Sequence, residues 1–340
     1  MNNYEIFNIL KKKDNDYLSK YSLNDQKAIL NIINKYFLEL RNSINLNDNS
    51  TFGLEFEYEN ALNKNISMAL NMANFNSNYW YTKNESSLFD GGEIATPVLK
   101  DNVKTWNDIA KICTILNKNS ELSGTTAGHI HIGAQTITNV DSLMNLVLLW
   151  ITYENIIYRF FYGEFLNERP SIYRYAKKLS GKWLDDLYII KKYLKNGEIN
   201  LNTIIKWLIP ETDKKIWAIE LSNIQCLNKE DINNTIEFRC PNGTFNPVIW
   251  QNNVNFLFKL LKYTNSSTFN FNIITKRLNE RPSDFDDYSY FRKININQVL
   301  EFCDLIFDNN LDKIYFLRQY VKNFEQTDKK NLIKAKNFTV

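Results

Sequence analysis

A chain of 340 residues, 44% hydrophobic and 23% charged, carries enough apolar material for a full-sized core in one large domain or two. Its 41 basic and 38 acidic residues leave a net charge of only +3, which by itself calls for neither a nucleic-acid nor a membrane surface. No stretch reads GxxxxGK(S/T) or GxGxxG, so any nucleotide is bound without those phosphate loops. Cys113, Cys226, Cys240 and Cys303 are widely spaced and form no CxxC pair, as expected of reduced, mostly buried thiols in a cytoplasmic protein. The N-terminal MNNYEIFNILKKKDND lacks the apolar run and cleavage site of a signal peptide. The most apolar window, Leu143 to Ile151, is too short to span a bilayer.

Residues 1–48 read as a helical extension, with Ile29, Ile32, Ile33, Phe37 and Leu40 at helical spacing over Asp25 to Leu40. A polar linker, Asn42 to Ser50, leads into Thr51 to Asn60, read TFGLEFEYEN. On a strand, Phe52, Leu54, Phe56 and Tyr58 face one way; Gly53, Glu55, Glu57 and Glu59 face the other. Adjacent carboxylates roughly 7 Å apart repel by on the order of 2 kcal/mol, so the row either faces open water or holds cations. A short aromatic strand over Tyr79 to Thr82, a turn over Ser86 to Gly92 and a strand over Gly92 to Pro97 follow. Val103, Trp106, Ala110, Cys113 and Leu116 mark an amphipathic helix.

The small residues Ser123 to Gly128 precede an alternating strand, His129 to Ala134. Asp141 is the expected N-cap of a helix running to about Phe161, and further helices are expected over Trp183 to Leu194 and Leu201 to Leu208. Ile216 to Leu221 and Thr235 to Cys240 read as strands, and Asn246-Pro247 starts a helix that continues to Leu261. Beyond Phe271 the chain reads as a charged helical tail; the Lys-rich stretches 11–13 and 329–336 read as solvated faces. Regular βαβ spacing is missing. The pattern predicts an α+β domain over 49–265, a largely antiparallel sheet packed with helices, with helical extensions over 1–48 and 266–340.

Four of these strands share a feature. Glu55 and Glu57 lie on one face; so do His129 and His131, the only histidines in the chain; so do Glu237 and Arg239; and Glu93 opens the fourth strand beside a double glycine. Alone, each strand reads as the solvated face of an antiparallel sheet, and Glu237-x-Arg239 as a same-face ion pair. As neighbours in one sheet they would form a single patch of carboxylates, imidazoles and a guanidinium. Carboxylate-dominated ligands favour Mg²⁺ or Mn²⁺, and an adjacent arginine suits a phosphoryl group, the equipment of phosphoryl transfer from a nucleotide.

Gly53-Leu54-Glu55-Phe56-Glu57, Gly128-His129-Ile130-His131 and Ile236-Glu237-Phe238-Arg239, in that order, resemble the motifs of the amidoligase family. That family belongs with the glutamine synthetase-like carboxylate–amine ligases. Glu85-Ser86, an approximate match, and Gly92-Glu93-Ile94-Ala95-Thr96-Pro97 look like its second and third strands; the resemblance spans roughly residues 50–265. It implies a glutamine synthetase-like catalytic sheet, with Glu55, Glu57, Glu93, His129 and Glu237 as metal ligands. It further implies that Arg239, His129 and Glu57 are catalytic and that His131, Arg239 and Gly128 contact the cofactor. Glu59 has no counterpart and reads as solvent-facing.

The implied activity is an ATP-dependent carboxylate–amine ligase, using Mg²⁺ or Mn²⁺ and passing through an acyl phosphate. Its partners would be an amine and the carboxylate of a small molecule, peptide or protein, with no nucleic acid or membrane. An acyl phosphate must be shielded from water, which makes Ser86 to Gly91 and Ser123 to Gly128 candidate flaps. The alternatives are a metal-dependent phosphohydrolase using the same residues, or a non-catalytic relic or binding module.

Overall fold

Period-two alternation is realised in a six-stranded sheet, every neighbouring pair of which is antiparallel. The computed structural model describes residues 1–12, 15–76, 79–195, 200–210, 214–227, 229–231, 233–285, 287–322 and 333–334. In chain order the strands are β1 (Tyr36–Phe37), β2 (Phe52–Tyr58), β3 (Tyr81–Asn84), β4 (Gly92–Ala95), β5 (Gly128–Gly133), β6 (Ile219–Glu220), β7 (Thr235–Phe238) and β8 (Ile333–Lys334). The main sheet runs β3-β4-β2-β5-β7-β6, and β1 pairs in parallel with β8 in a separate two-stranded sheet. This is the α+β architecture the sequence predicts, with the four motif strands side by side.

One face of the sheet carries Phe52, Leu54, Phe56, Ile94, Ile130, Ile132, Ile236 and Phe238, all buried. Three tryptophans from three helices close over it. Trp106 of the helix Val103–Asn119 stacks on Phe52 (5.5 Å between ring centroids) and Trp250 of Pro247–Thr264 packs on Phe56 (4.4 Å). Trp150 of Val140–Thr152 stacks on Phe238 (5.6 Å). Gly128 sits on this face opposite Phe56, where an added Cβ would lie 2.7 Å from Trp250 Cη2. Only glycine admits the tryptophan so close.

Helices near the two ends of the chain pack on one another. Asp304 of the helix Ile296–Ile306 accepts from the backbone amides of Leu18 and Ser19, and Lys313 of Asn310–Val321 donates to Asp16 O at 2.6 Å. The helix expected over Asp25 to Leu40 is Leu23–Ile33. Pairing of Tyr36 and Phe37 with Ile333 and Lys334, and donation from Arg318 Nε to Tyr36 O at 2.7 Å, take the following backbone out of the helix. Tertiary pairing has overridden local periodicity there. The helix expected to run to Phe161 starts from an Asn139 cap rather than Asp141, and it divides at Tyr153 into Val140–Thr152 and Glu154–Phe161.

The strand expected over Ile216 to Leu221 shortens to Ile219–Glu220, because the Glu220 carboxylate takes the amides of Lys215 and Ser222 on either side. The aromatic strand lies two residues later than expected, at Tyr81–Asn84. Of the second Lys-rich stretch only Ile333 and Lys334 are described; the rest of it, with Lys13 of the first, lies outside the described residues. Among the described residues no helix is long and apolar enough to cross a membrane.

Candidate active site

The opposite face of the same strands gathers the charged residues, and the register sets who meets whom. Glu57 lies opposite Glu93, which lies opposite Lys83; Glu55 lies opposite His129; His131 lies opposite Glu237, which lies opposite Glu220. Like charges directly opposite one another destabilise a sheet unless something neutralises them, and here cations are interleaved with the acids.

His129 bridges three carboxylates. Its Nδ1 is 2.9 Å from Glu55 Oε2 and 3.7 Å from Glu237 Oε1, and its Nε2 is 3.5 Å from Glu57 Oε1. His131 Nε2 makes no hydrogen bond and has Glu55 Oε1 at 3.5 Å. Arg239 pairs with Glu237, and its Nε donates to Tyr175 O at 3.2 Å. Lys83 Nζ is 3.2 Å from Glu55 Oε1 and pairs with Glu93. Glu57, Glu93, His129, Glu237 and Arg239 are all buried.

Burial works against ionising Glu55, but the hydrogen bond of His129 and the nearby His129 and His131 imidazoles outweigh it and hold Glu55 well below the ordinary carboxylate range. Glu237 is likewise lowered: desolvation opposes its charge, and Arg239, His131 and His129 win. Desolvation lowers His131, yet Glu55 and Glu237 raise it above the usual histidine value overall.

Two donor sets are compact enough for a metal ion: Glu55, Glu93 and His129, and Glu55, His131 and Glu237. Within each, one ligand atom per residue lies within 4.8 Å of the others. Carboxylate oxygens with one imidazole fit Mg²⁺ or Mn²⁺, and the unpartnered Nε2 of His131 fits a ligand position. Glu57 stands in neither set; its Oε2 accepts the Ala127 amide at 2.6 Å, which fixes the entrance to β5.

Of the residues singled out in the sequence, Glu55, Glu57, Glu93, His129, His131, Glu237 and Arg239 are brought together on this face. Gly128 turns to the tryptophan side, and its amide is taken by Pro241 O at 3.1 Å. Glu85 caps its own turn by accepting from Ser87 N and Oγ. The solvent reading of Glu59 is corrected: it is 7% exposed and accepts from Phe89 N at 3.1 Å and Thr125 Oγ1 at 2.5 Å. It thereby ties together the two candidate flap loops.

Sequence reasoning missed Lys83, because the expected strand stopped one residue short of it. It also missed Arg169, which is buried and donates to the carbonyls of Arg239, Cys240 and Pro241, fixing the end of β7. A lone arginine before a proline gives no periodic signal. Beside the cluster lies a cavity of about 780 Å³, lined among others by Gly53, Glu55, Tyr81, Thr96, His131 and Asp231. That volume suits a small organic substrate.

One face of an antiparallel sheet thus carries carboxylates, two imidazoles and a guanidinium together. Residues 71–261, 191 of the 340, match a family model described as "Putative amidoligase enzyme", and the chain belongs to that family. The match starts after β2, so Glu55 and Glu57 enter the site through their register with β4 and β5. No curated protein matches the chain.

Proposed function

We propose that this amidoligase family member is an ATP-dependent carboxylate–amine ligase. The observation that carries the reading is the cross-strand cluster itself: four carboxylates, both histidines of the chain and Arg239 on one sheet face beside a substrate-sized cavity. Glu55, Glu93, Glu237, His129 and His131 would hold Mg²⁺ or Mn²⁺, which when bound neutralises the charge of the triphosphate. Arg239, held by Glu237, Tyr175 O and the Arg169-braced backbone, would bind the moving phosphoryl group.

A substrate carboxylate oxygen attacks the γ-phosphorus, the bond to the β-phosphate oxygen breaks, and ADP leaves an acyl phosphate. The amine nitrogen then attacks the acyl carbon, the C–O bond to phosphate breaks, and the nitrogen gives up a proton as the amide forms. The Glu59 tie between the loops around Phe89 and Thr125 supports exclusion of water from the intermediate. The substrates are an amine and a carboxylate on an amino acid, peptide or protein. Four free thiols support a reducing, cytoplasmic setting.

The test is ADP release from the purified protein. The expected result is release that needs Mg²⁺ or Mn²⁺, a carboxylate and an amine together. ATP turnover indifferent to every carboxylate and amine, or phosphoester cleavage without ATP, would overturn the reading.

A further inference from the structure

Lys83 sits where the proposed metal chemistry leaves no room for it. Its Nζ is 3.2 Å from Glu55 Oε1 and paired with Glu93, two of the three residues whose ligand atoms, with those of His129, lie within 4.8 Å of one another. An ammonium and a divalent cation cannot share the same two carboxylates without strong repulsion. We propose that Lys83 is a tethered cation that fills the metal position between Glu55 and Glu93, and that a divalent metal binds there only by displacing it. The inference rests on the metal reading given above.

The surroundings are built for such an exchange. The carboxylate of Glu93 and the imidazole of His129 are almost wholly enclosed, with side-chain exposures of 3% and 6%. Lys83 is 43% exposed and projects from β3, which ends the sheet on that side among the described residues. Its flexible four-carbon stem can therefore swing outward without breaking a ladder hydrogen bond. Its presence also has a physical cause: buried Glu93 lies opposite Glu57 and needs a positive charge when no metal is bound. A lysine supplies that charge and remains removable. An arginine in a fixed fork would be harder to displace.

Mn²⁺ binding, followed by the electron paramagnetic resonance signal of free Mn²⁺, tests this without any turnover. Lys83→Met removes the competitor and should tighten Mn²⁺ binding about tenfold, the equivalent of one charge-assisted hydrogen bond. Lys83→Arg keeps the charge and should bind no more tightly than wild type. Metal-free Lys83→Met should melt below wild type and gain more in melting temperature on adding Mn²⁺. If wild type binds Mn²⁺ and Lys83→Met binds it equally or more weakly, the inference is overturned while the metal reading stands. If neither protein binds Mn²⁺ at millimolar concentration, both fall.

Discussion

Glu154 and Glu237 are both buried carboxylates, one among the helices behind the sheet and one on its open face, and the protein treats them oppositely. Glu154 accepts from the amides of Leu179 (2.5 Å) and Ser180 (3.2 Å). Those bonds do not offset its desolvation, which pushes its pKa up to about 7. Glu237 and its neighbour Glu55 meet Arg239, His129 and His131, and both are driven below the ordinary range. The core tolerates an acid by keeping it close to neutral. The open face assembles acids and keeps them charged, at the expense of surrounding them with cations. That contrast sets a lone acid packed among helices against acids gathered with cations, the arrangement expected of a candidate site.

The comparison breaks first, and most heavily, on the core side. Trp250→Ala would empty the space against Phe56 and leave Thr244 O without its indole donor. A loss of about 3–5 kcal/mol in urea unfolding is expected; a loss below about 1 kcal/mol would mean that the tryptophans do not carry the sheet.

On the open face the effect moves to activity. Arg239→Ala should lower kcat by about 10²–10³ with the far-ultraviolet circular dichroism unchanged, as for removal of a group that stabilises transition-state charge. Retained kcat would take Arg239 out of the reaction.

The acid behind the sheet is tested by pH. Because the folded pKa of Glu154 is raised from 4.5 to about 7, the unfolded chain releases this proton first, so its contribution makes stability fall as pH rises between those values. Glu154→Gln keeps a carbonyl acceptor for one of the two amides and never ionises. Relative to wild type it should gain about 3 kcal/mol from pH 4.5 to 7 and no more above that. A pH-independent difference would contradict the assignment. Glu55 and Glu237 have the opposite sign: their stabilisation is present above the unfolded carboxylate pKa and lost as pH falls through their lowered folded values.

The smallest effect concerns Gly128. A Cβ there must push Trp250 aside, so Gly128→Ala should cost about 1–3 kcal/mol of stability while the activity of the folded enzyme changes little. Lost activity with unchanged melting would return Gly128 to the cofactor-contacting role.

Alternation made much of this legible before any coordinates. In β2, β5 and β7 the apolar and charged positions interleave without a break, so the face of Glu55, Glu57, His129, His131, Glu237 and Arg239 could be read directly. What escaped depends on contacts far apart in sequence. Glu59 reads like its neighbours on the strand, and only the folding back of Phe89 and Thr125 buries it. Lys83 gains meaning from Glu93 across the ladder, and Arg169 from carbonyls some 70 residues later. The helix ending at Ile33 gives way to a pairing with the far end of the chain.

The most direct test of the open face as a metal–nucleotide centre is a crystal structure with Mn²⁺ and a non-hydrolysable ATP analogue. An anomalous Mn²⁺ peak is expected within ligand distance of Glu55 and of Glu93 or Glu237, with the terminal phosphate turned toward Arg239. Nucleotide and metal bound elsewhere, with Glu55 still held only by its histidines and Lys83, would contradict it.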